Sequence, residues 1–204
     1  FFEIMLGPYL KYSCCLFSEG SVGLADAEVA MLHAFTEEHL RLSETVQSKG
    51  ALRVLDLGCG WGSHGGYILD NYDDVHVTFL SNSATQQDFI KARNEKHAGR
   101  FTNVKADASS FDDPAFRGAF DVIVSCEMLE HMKNYDMVLG KVSSWLKPDG
   151  RMMVQILGNR RFAYDFTTTD WMGKYFFAGG TMPSRDLFEN FLPALYRQET
   201  GRSR

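Results

Sequence analysis

The sequence predicts an α/β fold, a central and mostly parallel sheet with helices on both faces. Three observations predict it. Short apolar runs of strand length alternate with longer amphipathic segments through most of the chain. The strongest run, Val54-Leu55-Asp56-Leu57, opens directly into the glycine-rich turn Gly58-Cys59-Gly60-Trp61-Gly62. No repeat or low-complexity linker interrupts the alternation. Strands joined through helices run parallel and are covered on both faces. A chain of 204 residues, 45% hydrophobic and 13% aromatic, can fill one such core and not comfortably two.

The elements follow in order. Residues 1–20 are rich in aromatics, with helical spacing at the start. Asp26 to Val46 reads as one helix, with Val29, Leu32, Ala34, Leu40 and Leu42 set among charges, and Ser48-Lys49-Gly50 ends it. Arg53 to Leu57 is the first strand, and a helix follows the glycine turn to about Tyr72. Val75 to Leu80 is the second strand and Ala84 to Lys96 the next helix. Thr102 to Ala106 and Phe120 to Ser125 are the third and fourth strands. Tyr135 to Leu146 is a helix, Lys147-Pro148-Asp149-Gly150 a turn, and Arg151 to Leu157 the fifth strand. Beyond it the alternation stops, and Asp170 to Phe177 and Ser184 to Leu192 read as helices of a cap. The expected organisation is a single domain over 1–204. It has an N-terminal helical segment (1–50), a ligand-binding core (51–158) and a helical cap (159–204). The abrupt amphipathic start at Phe1-Phe2-Glu3 and the polar Gly201-Arg202-Ser203-Arg204 point to a chain cut at both ends.

Composition narrows the partners. The net charge of -5 argues against nucleic acid or an anionic membrane as the main partner, since both favour basic surfaces. The four cysteines, Cys14, Cys15, Cys59 and Cys126, have no zinc-ligand spacing, so no metal is expected. Reduced thiols, no signal peptide and no bilayer-length apolar run suggest a cytoplasmic protein.

The glycine turn is the candidate ligand site, because glycines let the backbone turn sharply and approach a ligand closely. Open α/β sheets bind ligands beyond the carboxyl ends of their strands. Asp56 inside the strand, the missing third-glycine spacing and Trp61 where a pyrophosphate would need room favour S-adenosylmethionine (SAM) over a dinucleotide. The second strand ends without the acidic residue that usually binds ribose. Ser81, Asn82 and Gln86 offer neutral amide and hydroxyl groups in its place. After the third strand, Asp107-Ala108 is placed either to accept from an adenine amino group or to act as a loop or N-cap residue. Glu130 and His131 follow the fourth strand at the same end of the sheet, where Glu130 reads equally as an exposed loop carboxylate. Glu127 is a competing acid, and His64 and His97 read as solvent-facing.

Five ordered motifs resemble one superfamily. They are Tyr12-Ser13-Cys14-Cys15, Leu55 to Gly62, Asn82-Ser83-Ala84 with Gln86, Glu130 to Tyr135, and Phe176-Phe177-Ala178-Gly179-Gly180-Thr181-Met182-Pro183-Ser184. Together they resemble the SAM-dependent methyltransferases that include cyclopropane fatty-acid synthases and coclaurine-type N-methyltransferases, with the second group nearer. The resemblance implies a Rossmann-like class I SAM methyltransferase fold of seven strands, the last two falling beyond Arg204. It implies that Tyr12 and Ser13 contact the methionine end of SAM, which Gly58, Gly60 and Gly62 line. It also implies that Asn82 and Gln86 hold ribose and Asp107 adenine.

In the N-methyltransferases it resembles, the Glu130-His131 pair orients and deprotonates an amine. The expected partner is therefore a small-molecule amine. The alternative is methylation or cyclopropanation of unsaturated phospholipid chains, which the family performs with a bound bicarbonate held by a Cys, the Glu, a His and a Tyr. Cys14 and Glu130 are present. The His position reads Gln155, which is neutral and weakens an anion site. Arg160 and Arg161 read as a solvated turn. Phe162, Tyr164, Phe166, Trp171, Tyr175, Phe176 and Phe177 read mainly as cap packing.

Overall fold

The structure is a computed structural model that describes residues 1–188. Its contacts divide the chain into two compact units, Phe1–Cys126 with Trp145–Val154, and Glu127–Ser144 with Gln155–Arg204.

The first unit holds a five-stranded sheet. Its strands are β1 (Leu52–Leu57), β2 (Val75–Ser81), β3 (Phe101–Lys105), β4 (Phe120–Cys126) and β5 (Leu146–Gln155), which runs to the unit's edge. The spatial order is β3-β2-β1-β4-β5. β1 runs parallel to both β2 and β4, and β2 parallel to β3. The chain steps outward from β1 to β3, then returns to the other side of β1, so the order reverses between β1 and β4. Ligands of open α/β sheets bind at such a reversal. Burial follows position. β1, β2 and β4, covered on both faces, are almost wholly buried, while β3 at the edge is only partly covered. The core is built from Val54, Ile68, Leu69, Val77, Phe79, Ile90, Val122 and Val124 with Phe35, Leu40 and Leu42 beneath.

Helices α4 (Ser63–Asn71) and α5 (Ala84–Arg93) follow β1 and β2. The N-terminal part has α1 (Phe2–Met5), α2 (Leu24–His33) and α3 (Leu42–Lys49). The single helix expected over Asp26 to Val46 is broken. Ala34–His39 forms a wide π-helical turn, closed by Leu40 N–H donating to the Phe35 carbonyl at 3.1 Å, and Arg41 is left-handed at φ 51. The Thr36 hydroxyl also donates back to the Leu32 carbonyl at 2.7 Å, a bond that bends helices. The extra residue rephases the helix face. Phe35, Leu40 and Leu42 turn inward while Val29 stays exposed.

The expected turn at Lys147–Gly150 is instead extended and belongs to β5. Lys147 explains it. Its ammonium donates to both oxygens of buried Asp121 at 2.8 Å, and Asp121 also accepts from Arg53 N–H at 2.9 Å. Pro148, which has no N–H to donate, sits in an edge strand where it is tolerated.

The second unit holds α6 (Tyr135–Trp145) but for its last residue, a two-stranded antiparallel ribbon and a second π-helical turn. The ribbon pairs β6 (Tyr164–Asp165) with β7 (Thr181–Met182). The helix expected over Asp170 to Phe177 is this shorter π turn, Met172–Phe176. The ribbon was not expected, and its strands of two residues each carry no readable period. Of the helix expected over Ser184 to Leu192, Ser184 instead forms a bridge with Asn159, Leu187 and Phe188 are helical, and 189–192 lie outside the described residues.

Candidate functional site

The turn after β1 is built by its glycines. Gly58, Gly60 and Gly62 have φ of 69, 53 and 76, left-handed values that other residues rarely adopt. Gly58 N–H and Cys59 N–H both donate to the Leu80 carbonyl, at 3.0 and 3.1 Å, which pins the turn to the end of β2. A Cβ at Gly62 would lie 2.9 Å from Ile90 Cγ1, whereas one at Gly60 would meet none of the described residues within 4 Å. The turn is closed on its inner side and open at Gly60, a shape that lets a ligand approach the backbone.

Asp56 lies beneath the turn, 3% exposed. Its Oδ2 accepts from Gly65 N–H at 3.0 Å, satisfying one amide in the first turn of α4. Burial, only partly offset by that bond, pushes its carboxyl up to about 7. At the end of β2, the Ser81 hydroxyl donates to Gln86 Oε1 at 2.8 Å, and Ser83 caps α5 by accepting from Gln86 N–H. Asn82 beside them is exposed. Asp107 is exposed as well, and its Oδ1 accepts from Ser109 N–H and Oγ at 2.8 and 2.7 Å, so the carboxylate braces its own loop. Ala108 is buried.

The N-terminal strap joins this group. The Ser63 hydroxyl donates to the Leu10 carbonyl at 2.9 Å. The Tyr12 ring packs on Phe2 at 5.0 Å, Phe2 on Trp61 at 5.4 Å, and Trp61 on Phe89 at 5.4 Å. Trp61 thus anchors the strap beside the glycine turn. Within this unit Tyr12 and Ser13, expected at the site from far along the chain, share a framework with Gly58–Gly62.

The second unit carries the acids. Glu130 sits in the short 3-10 turn Leu129–His131 and is fully buried, which overturns the exposed-loop alternative. Its Oε1 accepts from Leu157 N–H at 2.5 Å, and its Oε2 is buried without a partner among the described residues. Burial raises its pKa, the Leu157 bond lowers it, and the charge of Glu127 adds to the rise. His131 is exposed at its surface, yet its ring lies 5.1 Å from Phe177 and 5.6 Å from Phe176. Desolvation holds its pKa below the usual histidine value. The loop is tightly held. The Tyr135 hydroxyl donates to the Leu129 carbonyl at 3.2 Å, and burial pushes that phenol up to about 12. A Cβ at Gly180 would lie 2.1 Å from the Glu130 carbonyl oxygen, so the Gly179-Gly180-Thr181 segment packs directly on the Glu130 backbone.

Glu127 matters more than the sequence suggested. It is left-handed at φ 48, its N–H donates to the Gln155 carbonyl at 2.7 Å, and the Gln155 amide donates to its Oε1 at 3.0 Å. A non-glycine residue held in that conformation often marks a functional site, but nothing in the sequence announces it. His64 and His97 are not solvent-facing. His64 is 2% exposed, with Nε2 3.0 Å from the Thr36 hydroxyl, and burial lowers its pKa to about 3. His97 pairs with Asp70 at 2.7 Å. Arg160 and Arg161 are exposed, at a turn where Asn159 Oδ1 accepts from Arg161 N–H.

The sheet order, the glycine turn and the assembled β2 terminus define the class I fold of SAM-dependent methyltransferases. The chain belongs to the family described as Mycolic acid cyclopropane synthetase, which it matches over residues 1–193. It is 35% identical over 196 residues to an (S)-coclaurine N-methyltransferase of Thalictrum flavum subsp. glaucum, covering 94% of this chain and 52% of that protein. It is also 35% identical over 185 residues to the cyclopropane-fatty-acyl-phospholipid synthase of Escherichia coli (strain K12), covering 90% and 44%. A coclaurine N-methyltransferase structure bound to N-methylheliamine and SAH superposes with a TM-score of 0.79 at 32% identity, covering 93% of this chain and 56% of that one. The chain thus spans about half the length of the curated relatives it matches. SAM is the cofactor of these relatives, and the turn open at Gly60 fits it. No helix among the described residues is long and apolar enough to cross a membrane.

Proposed function

We propose that the protein transfers a methyl group from SAM to the nitrogen of a small-molecule amine, with the Glu130-His131 pair orienting and deprotonating the amine. In this reading 1–204 works as one methyltransferase domain of a cytoplasmic enzyme, with no nucleic-acid partner. Tyr12, Ser13, Asp56, Gly58, Gly60, Gly62, Ser81, Asn82, Gln86, Asp107 and Ala108 hold or shape the cofactor site. Asp56 does so from beneath the turn. SAM supplies an electrophilic methyl group on a sulfonium.

The observation that carries the reading is the unpartnered, buried Oε2 of Glu130. A buried acceptor without a donor is expensive, and an amine N–H is the kind of donor that would relieve it. A carboxylate there also draws an ammonium by charge. The attacking nitrogen must be neutral, because its lone pair forms the bond to the methyl carbon while the sulfur keeps the electrons of the bond that breaks. A histidine held below its usual pKa is neutral near pH 7 and able to take the departing proton. Alignment of the two partners supplies much of the remaining effect, up to about 7–11 kcal/mol in favourable cases. The relatives that methylate alkaloid amines support this choice of acceptor.

A second reading, methylation or cyclopropanation of unsaturated phospholipid chains, is favoured by the equally identical E. coli synthase. Against it, Gln155 is neutral where an anion site wants a cation, and its amide is already engaged by Glu127. The deciding experiment measures S-adenosylhomocysteine release with secondary and tertiary amines beside unsaturated phospholipid vesicles, using the full-length protein. Release with amines is expected, falling by roughly 10²–10⁴ in Glu130→Gln. Release with lipids alone, dependent on bicarbonate, would replace this reading with the second.

A further inference from the structure

We infer that Glu28 is a positioning residue for the cofactor site: its buried carboxylate sets the conformation of the Gly7–Ser13 strap and so presents Tyr12 and Ser13 to the methionine end of SAM. The inference rests on the SAM reading above and assigns a role to a residue that touches no cofactor.

Glu28 lies on α2 and is 1% exposed, an unusual place for a carboxylate unless it is fully paired. Its partners are backbone amides of the strap. Oε2 accepts from Tyr9 N–H at 2.6 Å, and Oε1 accepts from Lys11 N–H. The two donors are two residues apart, so the residue between them must turn its carbonyl the other way. That residue is Leu10, left-handed at φ 52, and its carbonyl accepts the Ser63 hydroxyl from the start of α4. A left-handed leucine is costly and persists only where its surroundings enforce it. Here the carboxylate on one side and Ser63 on the other do so. Gly7 completes the fit. A Cβ there would lie 2.5 Å from Glu28 Oε2, so only glycine lets the strap come this close.

The strap passes the constraint forward through Lys11. This side chain is 3% exposed, and its ammonium donates to the Ser13 hydroxyl and to the Cys14 carbonyl, the latter at 2.6 Å. It also lies 5.6 Å above the Phe35 ring. The chain of contacts therefore runs from α2 through Glu28 to the Lys11 backbone, then through the Lys11 ammonium to the Ser13 hydroxyl. Each link is a charge-assisted hydrogen bond, the stronger kind. A preset strap binds its ligand without first being ordered, which is where the affinity gain arises.

Glu28→Gln keeps the shape but leaves an amide group facing two N–H donors, one of which loses its acceptor. The test is calorimetric titration of the full-length protein with S-adenosylhomocysteine, beside steady-state kinetics and trypsin cleavage after Lys11. The expected result is about tenfold weaker binding and a matching rise in KM for SAM. KM for the amine and kcat should stay within about threefold, and Lys11 should become cleavable in a protein that still melts cooperatively. A variant that melts earlier yet binds S-adenosylhomocysteine like wild type would show a purely structural role and overturn the inference. Should Glu28→Gln fail to fold, Ser63→Ala loosens the strap from its other side. Weaker S-adenosylhomocysteine binding with kcat retained supports the same mechanism, and unchanged binding overturns it. If wild-type protein gives no binding heat, the methyl-donor reading itself falls and the positioning role with it. If wild type binds and the variants bind equally, only the positioning role falls.

Discussion

The strap in the first unit and the acid loop in the second solve opposite problems with the same residue type. Glu28 and Glu130 are both buried to within 1% of complete exclusion. Both oxygens of Glu28 accept backbone amides. Only one oxygen of Glu130 does, and the other is buried without a partner among the described residues. A fully satisfied carboxylate rigidifies what it binds, whereas a half-satisfied one carries a desolvation penalty that a partner would relieve. Burial is thus the same in both places, and the count of donors separates a scaffold from a candidate reactive group. The loop that carries Glu130 is held by other means, through Tyr135 and the close approach of Gly180.

The sharpest way to break the comparison is to move the Glu130 backbone without touching its side chain. In Gly180→Ala the new Cβ meets the Glu130 carbonyl oxygen at 2.1 Å, so the loop must shift. Misplacing a reacting group by about an ångström can lower the rate by roughly 10²-fold. Methyl transfer should fall by that order, stability by about 1–3 kcal/mol as in other overpacked sites, and affinity for S-adenosylhomocysteine should hold. A variant that loses cofactor affinity as fast as turnover would mean that the two regions are not separable in this way.

A smaller effect is expected in the pH profile. Burial lifts Glu130 above its ordinary carboxyl range, and desolvation drops His131 below the ordinary histidine range. In the proposed reaction both groups act in their deprotonated forms, so kcat/KM for an amine is expected to rise with pH through each of them. Because the His131 value is depressed, that limb should have its midpoint below 6.5, and His131→Gln should remove it. A midpoint above 6.5 that survives the substitution would take His131 out of the proton path.

The sequence made the sheet and glycine turn of the first unit far more legible than the acid loop of the second, and the reasons are physical. Strands buried on both faces read as unbroken apolar runs, so β1, β2 and β4 were placed to within a residue or two at each end. Glycines required at positive φ stand out by type, and so did the turn they build. The break in the Asp26–Val46 helix was hidden, because a π turn inserts one residue without any glycine or proline to mark it. Lys147–Gly150 carried turn residues, but the buried Asp121 carboxylate draws Lys147 into an extended strand. The Gln155 contact that holds Glu127 spans 28 positions of sequence, and neither residue type predicts it. Glu28 had one visible signal, a carboxylate beside Ala27 and Leu32 on the buried face of its helix.

His64 provides the most modest test of what burial does to a titratable group. It was expected at the surface from residue type alone, yet it lies in α4 with Phe35 at 5.9 Å and the Thr36 hydroxyl as its hydrogen-bond partner. Desolvation first, then the charge of Lys11, lower its pKa to about 3. The unfolded chain titrates near 6.5, so between pH 6.5 and 3 it binds a proton that the folded protein refuses. Stability from this group is therefore complete above pH 6.5 and is lost as pH falls through that window. The melting temperature of wild type should drop between pH 7 and pH 5. In His64→Gln, which keeps a polar group near Thr36 but cannot titrate, that drop should be smaller by a few degrees. An unchanged drop would place the acid sensitivity elsewhere and mean that the His64 ring protonates within the fold. The buried pocket would then tolerate a charge that neither of its near neighbours, Thr36 and Phe35, can pair.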